Sequence, residues 1–244
     1  MSNDRIAINY ELTLSNGERK CHVVHLDSVS MTLLPTACEP LPEWTHLGFH
    51  QCPNCPLDPS THPRCPVAAG LVEVVESFKN STSYEMADVV VQTPNRTYQK
   101  RASLQEVVSS LMGLHMASSG CPILNKLRPM LSMHLPFASA EETLFRTVSM
   151  YLLAQYFRWK KGLAPDWELR ELLATCDELR VVNIAFGKRI MNINTADASL
   201  NALASLDCFA GLTGMSISDD FFDDLEPLFA AYFTDSPPNP GEPI

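Results

Sequence analysis

The sequence predicts an α+β fold with three parts: an N-terminal β-hairpin region, a cysteine-rich metal loop, and a mainly α-helical C-terminal half. Three observations carry this. Apolar residues alternate strictly over residues 5–14, the period of a half-buried strand. Eight prolines fall between residues 35 and 66, where no long helix or central strand can run. From residue 139 the apolar period lengthens to that of helices.

Along the chain, Ile6, Ile8, Tyr10, Leu12 and Leu14 form the alternating face of the first strand. Asn16-Gly17 then signals a tight hairpin turn, because both residues accept positive φ. Lys20 to Leu26 returns as a second strand, and Ser30 to Leu34 reads as a short third one. After the proline-rich stretch, Val67 to Phe78 reads as a helix with Leu71, Val74, Val75 and Phe78 on one stripe. Met86 to Thr93 and Arg96 to Arg101 flank Pro94-Asn95 as a second hairpin. Ser103 and Glu106 have the spacing of a capping box, opening a helix to about Met116. Cys121-Pro122 starts another short helix, with proline at its first position.

Ser139 and Glu142 form a second capping box before a helix reaching about Lys161. Asp166 caps a helix running to about Ile190, and two more follow over Ala196 to Phe209 and Ser218 to Phe233. The organisation expected is a β-hairpin region (1–34), a cysteine-rich α/β region (35–138), a helical region (139–234) and a proline-rich, disordered tail (235–244).

Composition bounds the function classes. The chain has 244 residues, 45% hydrophobic and 19% charged, with a net charge of −10, which is ordinary for a protein with a core. Acidity and the lack of a basic stripe beyond Arg158 to Lys161 argue against nucleic acid. No apolar run of about 18 residues exists to cross a membrane. The first residues lack a basic start and apolar run, so no signal peptide is expected and the location expected is cytoplasmic. In a reducing compartment, eight cysteines point to metal binding or catalysis more than to disulfides.

The chemistry-bearing pattern is Cys52-Pro53-Asn54-Cys55-Pro56, then Arg64-Cys65-Pro66, then Gly120-Cys121-Pro122. The C-x2-C spacing lets two thiolates reach one metal from a tight turn, and two further ligands close the set. Long irregular loops inside compact domains need an organiser, and a metal supplies one. Cys52, Cys55, Cys65 and Cys121 are therefore the expected ligands. Zinc knuckles and rubredoxin-type sites usually place glycine after the second cysteine. Pro56, locked near −65°, disfavours that turn, while Cys-Pro occurs at iron–sulfur ligands. An iron–sulfur cluster is the first expectation and zinc the alternative. Of the remaining cysteines, Cys21 and Cys38 have no such setting, and Cys176 and Cys208 read as small core residues on amphipathic helices.

His50, His62 and His115 flank the motif and read as polar loop residues, with a Cys3His zinc site as the competing reading for His50 or His62. Cys121, at a helix start, is a candidate nucleophile with His115 or His134 as base. Glu142 and Arg146 stand four apart and read as a structural ion pair. An enzyme acting on a small molecule would place His134, Glu142 and Arg146 near the metal. No nucleotide-binding or hydrolase signature is present.

Cys52-Pro-Asn-Cys-Pro-Leu57, Arg64-Cys-Pro66, Ser119-Gly-Cys-Pro122 and His134-Leu-Pro-Phe137 together resemble a family of uncharacterised bacterial proteins that carries only a domain-of-unknown-function label. The likeness covers most of the chain apart from its tail. It implies a bacterial cytoplasmic protein and no particular activity. Three functional expectations stay open: a metal- or cluster-binding protein with a sensing, scaffold or electron-transfer role; a metal- or thiol-dependent enzyme; and an interaction module with structural zinc. The partner, protein or small molecule, is not specified.

Overall fold

A computed structural model describes residues 5–35, 40–193, 197–216 and 219–233. Two hairpins form one antiparallel sheet. Strands β1 (Arg5–Leu14), β2 (Arg19–Asp27), β3 (Met86–Gln92) and β4 (Thr97–Ser103) lie in the order β2-β1-β3-β4. The two predicted hairpins thus share a ladder, with Tyr10 opposite His22 on one side and Val91 on the other.

The period-2 pattern sets the faces. Ile8, Tyr10, Leu12, Val24, Leu26, Val89 and Val91 are buried against the helices, while Glu11, Cys21 and Val23 sit on the opposite face. The first turn differs in type from expectation: among its residues only Gly17 takes positive φ, at +86°. Leu14 accepts from the Gly17 N–H and donates to the Glu18 carbonyl. The loop is therefore longer than a two-residue turn, with glycine carrying the left-handed position. Ser30 to Leu34 is not a strand; it contributes one bridge, Leu26 to Leu33.

The predicted helix over 67–78 is two pieces, α1 (Pro66–Gly70) and α2 (Val72–Phe78), broken at Leu71. The expected stripe of Leu71, Val74, Val75 and Phe78 is fully buried. Helix α3 (Leu104–Ser118) is apolar on nearly all sides and forms the centre of the core. Ser103 Oγ accepts the Glu106 N–H, but the Glu106 carboxylate pairs with Lys100 instead of closing a capping box. The segment after Cys121 is a 3-10 helix, Leu124–Met133, rather than an α-helix; Pro129 inside it lacks the donor a regular helix needs.

Helix α4 (Ala140–Lys160) opens with the predicted box, Ser139 and Glu142 bonding reciprocally. Helix α5 (Arg170–Met191) starts later than Asp166, whose carboxylate nevertheless accepts the Glu171 N–H at 2.8 Å. Helix α6 (Asp197–Ser216) packs on α3 and α5, and α7 (Asp219–Leu225) leads into a 3-10 segment, Glu226–Tyr232. One main core joins the sheet, α1 to α3, α5 and α6; a smaller cluster of Leu144, Val148, Leu172 and Cys176 lies between α4 and α5. No helix among the described residues is long and apolar enough to cross a membrane. The expected disordered tail lies outside the described residues.

Candidate metal centre

Residues 40–65 carry only a 3-10 turn, Glu43–Thr45, and a bridge from His46 to Arg64. Within this stretch Cys55 N–H bonds the Cys52 carbonyl at 3.0 Å, closing a tight turn between the two thiols. Cys65 is tied to the same loop through its N–H and the Thr45 carbonyl, 2.8 Å, and it forms the N-cap of α1. On the far side of α3, Gly120 takes φ +88°, a value that favours glycine. That reversal turns Cys121 back toward the loop.

Cys52, Cys55, Cys65 and Cys121 line one small cavity of about 20 Å³. The rest of its wall includes Leu47, Val67, Ile123 and Phe186, with Arg189 from α5. The sulfurs influence one another: burial, and then Cys65, Cys55 and Cys121, push the Cys52 thiol up to about 12. Burial also raises Cys121, although the backbone N–H groups of Leu124 and Ile123 favour its thiolate. As free thiols Cys52 and Cys121 stay protonated at neutral pH. A metal cation inverts this balance and deprotonates a bound thiol outright.

Arg189 is the charged element of the site and is 2% exposed. It donates to the carbonyls of Trp44, His46 and Leu47 and lies over the Phe49 ring at 5.7 Å. No carboxylate lies within ion-pair distance among the described residues. Burial works against its charge, which thiolates at Cys65, Cys52 and Cys55 would favour. A buried guanidinium without a carboxylate is costly unless another anion answers it. Four thiolates on a divalent ion, or on an oxidised four-iron cluster, carry a net charge of about −2, the sign Arg189 requires.

The thiols fit a metal centre by type, number and charge. Among the described residues, however, no three His, Cys, Asp or Glu side chains stand close enough together to share one ion. Thiolates on a tetrahedral ion stand roughly 3.8 Å apart, given bonds of about 2.3 Å, so a single ion has to draw them inward. The free volume corresponds to about one water. Bonds of about 2.3 Å place bound atoms well inside the van der Waals distance that bounds this volume, so it understates the room for a bonded group.

The other sequence candidates fall elsewhere. His50 and His62 are exposed loop residues and do not line the cavity. His115 is not a loop residue: it is buried on α3, where desolvation lowers it to about 4. His134 and Arg146 line a second, larger cavity, so neither is near the four cysteines. The expected Glu142–Arg146 pair does not form. Glu142 is committed to the Ser139 N–H, and Arg146 donates to the carbonyls of Met130 and Met133. Cys176 is a core residue as expected; Cys208 is exposed instead, on the outer side of α6. Cys21 is exposed on the sheet, and Cys38 lies outside the described residues.

Sequence reasoning missed Arg189, although a signal was present. Val182, Phe186 and Arg189 follow the spacing of one helical stripe, so an arginine stands where a core residue is expected.

Together, fold and site define an α+β protein whose four Cys-Pro cysteines line one small cavity with a buried arginine. The chain belongs to the family described as Domain of unknown function (DUF6901), whose model matches residues 8–230. No curated protein and no solved structure matches the chain.

Proposed function

We propose that Cys52, Cys55, Cys65 and Cys121 hold a metal centre, an iron–sulfur cluster before zinc, which serves as a scaffold fastening the proline-rich loop to the segment that follows α3. The observation that carries this is Arg189, buried without a carboxylate among the described residues and facing four cysteines in one cavity. The separation of the thiols supports the cluster over one ion, because the cluster's own sulfides span the gap. Zinc in the same place gives the runner-up, a structural site in an interaction module. Arg189 suits either, since both carry similar charge. When bound, a cluster supplies four iron–sulfur bonds, and the redox capacity inherent in them. Cys52 and Cys55 are half-exposed, which leaves one edge of the site near solvent for an electron-transfer or sensing role.

Anaerobic purification followed by elemental analysis and a visible spectrum tests the reading. A brown protein containing iron and acid-labile sulfide, lost in Cys65→Ser, supports the cluster. A colourless protein with one zinc per chain supports the runner-up. Freely alkylated thiols in folded, metal-free protein overturn both.

A further inference from the structure

The second cavity has a volume of about 500 Å³ and lies between α3, α4, α5, α6 and the 3-10 segment 124–133. It is within the range of sites that enclose small organic ligands. Its wall is mainly apolar, with Leu114, Met116, Leu127, Leu131, Leu179 and Leu206. Several polar groups interrupt that wall, Asn183, Ser109 and Arg146 among them. Asn183 and Ser109 line the cavity and are each 6% exposed, yet neither side chain has a hydrogen-bond partner among the described residues. Their polar atoms are therefore free to bond a ligand or water that enters the cavity.

The third of these groups is Arg146. Its Nη2 holds the Met130 and Met133 carbonyls at 3.2 and 2.8 Å. The other guanidinium nitrogens have no protein partner among the described residues, and no carboxylate stands within ion-pair distance. Glu142, one turn earlier, is occupied by the Ser139 N–H. The one acidic residue on the wall, Glu106, is paired with Lys100. His134 is fixed by Tyr10 Oη at 2.6 Å, which in turn meets Ser110 Oγ at 2.8 Å. The cation on the cavity wall is therefore Arg146, whose charge Glu142 favours from one turn away without pairing with it.

We propose that this cavity binds a small carboxylic acid with an apolar body and one further hydroxyl or carbonyl group: the carboxylate meets Arg146, the body fills the Leu- and Met-lined space, and the second polar group meets Asn183. The site is independent of the metal proposal, since the four cysteines are not part of its wall.

Calorimetric titration of the whole chain with decanoate, 10-hydroxydecanoate and decanol tests this. Decanoate should bind about tenfold or more tightly than decanol, the usual scale of a hydrogen bond to a charged group. Arg146→Met should abolish that preference and Arg146→Lys should keep part of it. Asn183→Leu should raise the unfolding midpoint while removing any advantage of 10-hydroxydecanoate over decanoate, a pairing that a purely structural asparagine does not produce. Equal binding of decanoate and decanol by the unaltered protein overturns the proposal. So does the absence of binding at millimolar decanoate. Comparing the ligands on the unaltered chain keeps the test valid if a variant fails to fold.

Discussion

Three histidines are held neutral by the core. Burial lowers His22, His115 and His134 to about 4 from an ordinary value of 6.5. Secondary contributions come from Lys20 on His22, from His22 on His115 and from Arg146 on His134. The unfolded chain binds protons at these rings below pH 6.5 while the folded chain does not until about pH 4. Stability is therefore fully present above pH 6.5 and is lost as pH falls through that window. Between pH 7 and 5 the loss should be on the order of 1–2 kcal/mol per histidine, seen as a falling urea midpoint. His115→Gln should flatten that dependence. Arg189 makes the opposite kind of demand, since it is a charge kept inside. Arg189→Met should lower stability by about 3 kcal/mol in chemical denaturation, because three buried carbonyls lose a charged donor.

Elements whose sequence signals are local were legible. The alternation over residues 5–14 and the Ser139–Glu142 box both form as the residues dictate, because each signal and its partner lie within a few positions. Ser139→Ala should cost about 1 kcal/mol by thermal unfolding, since it unmakes the bond to the Glu142 N–H at the first turn of α4. The failures trace to distant competitors. Glu106 has the spacing of a second box, but Lys100 on β4 takes its carboxylate, a choice that only the packed sheet makes available. Glu142 and Arg146 are spaced to pair, yet the cap claims one and two carbonyls of the preceding segment claim the other. Gly70, next to the break at Leu71, sits close against the first hairpin's following segment: an added Cβ would stand 2.9 Å from Leu33 Cδ2. Nothing nearby in sequence announces that contact.

Across the whole molecule, the four Cys-Pro cysteines stood out in the sequence and line one cavity, while Arg189 in its wall did not, because it arrives from another helix more than a hundred residues beyond the loop. The same layout divides the molecule by what holds it. The sheet and α3 are secured by ladders, helical bonds and a continuous apolar core. Residues 40–65 have a few cross-links instead: Leu47 N–H to the Pro63 carbonyl, Cys65 N–H to the Thr45 carbonyl, and Arg64 to Pro42 and Thr45. Regions so lightly bonded open more easily than the core, and a metal at the four thiols would add most to their stability. Hydrogen exchange before and after metal removal should therefore show faster exchange at the N–H groups of Leu47, Cys55 and Cys65, with Tyr10 and Val89 unchanged. Equal acceleration in the sheet would mean that the centre supports the entire fold cooperatively. Unchanged exchange in the loop would mean that the backbone cross-links and Arg189 organise it without a metal, and the scaffold role would fall.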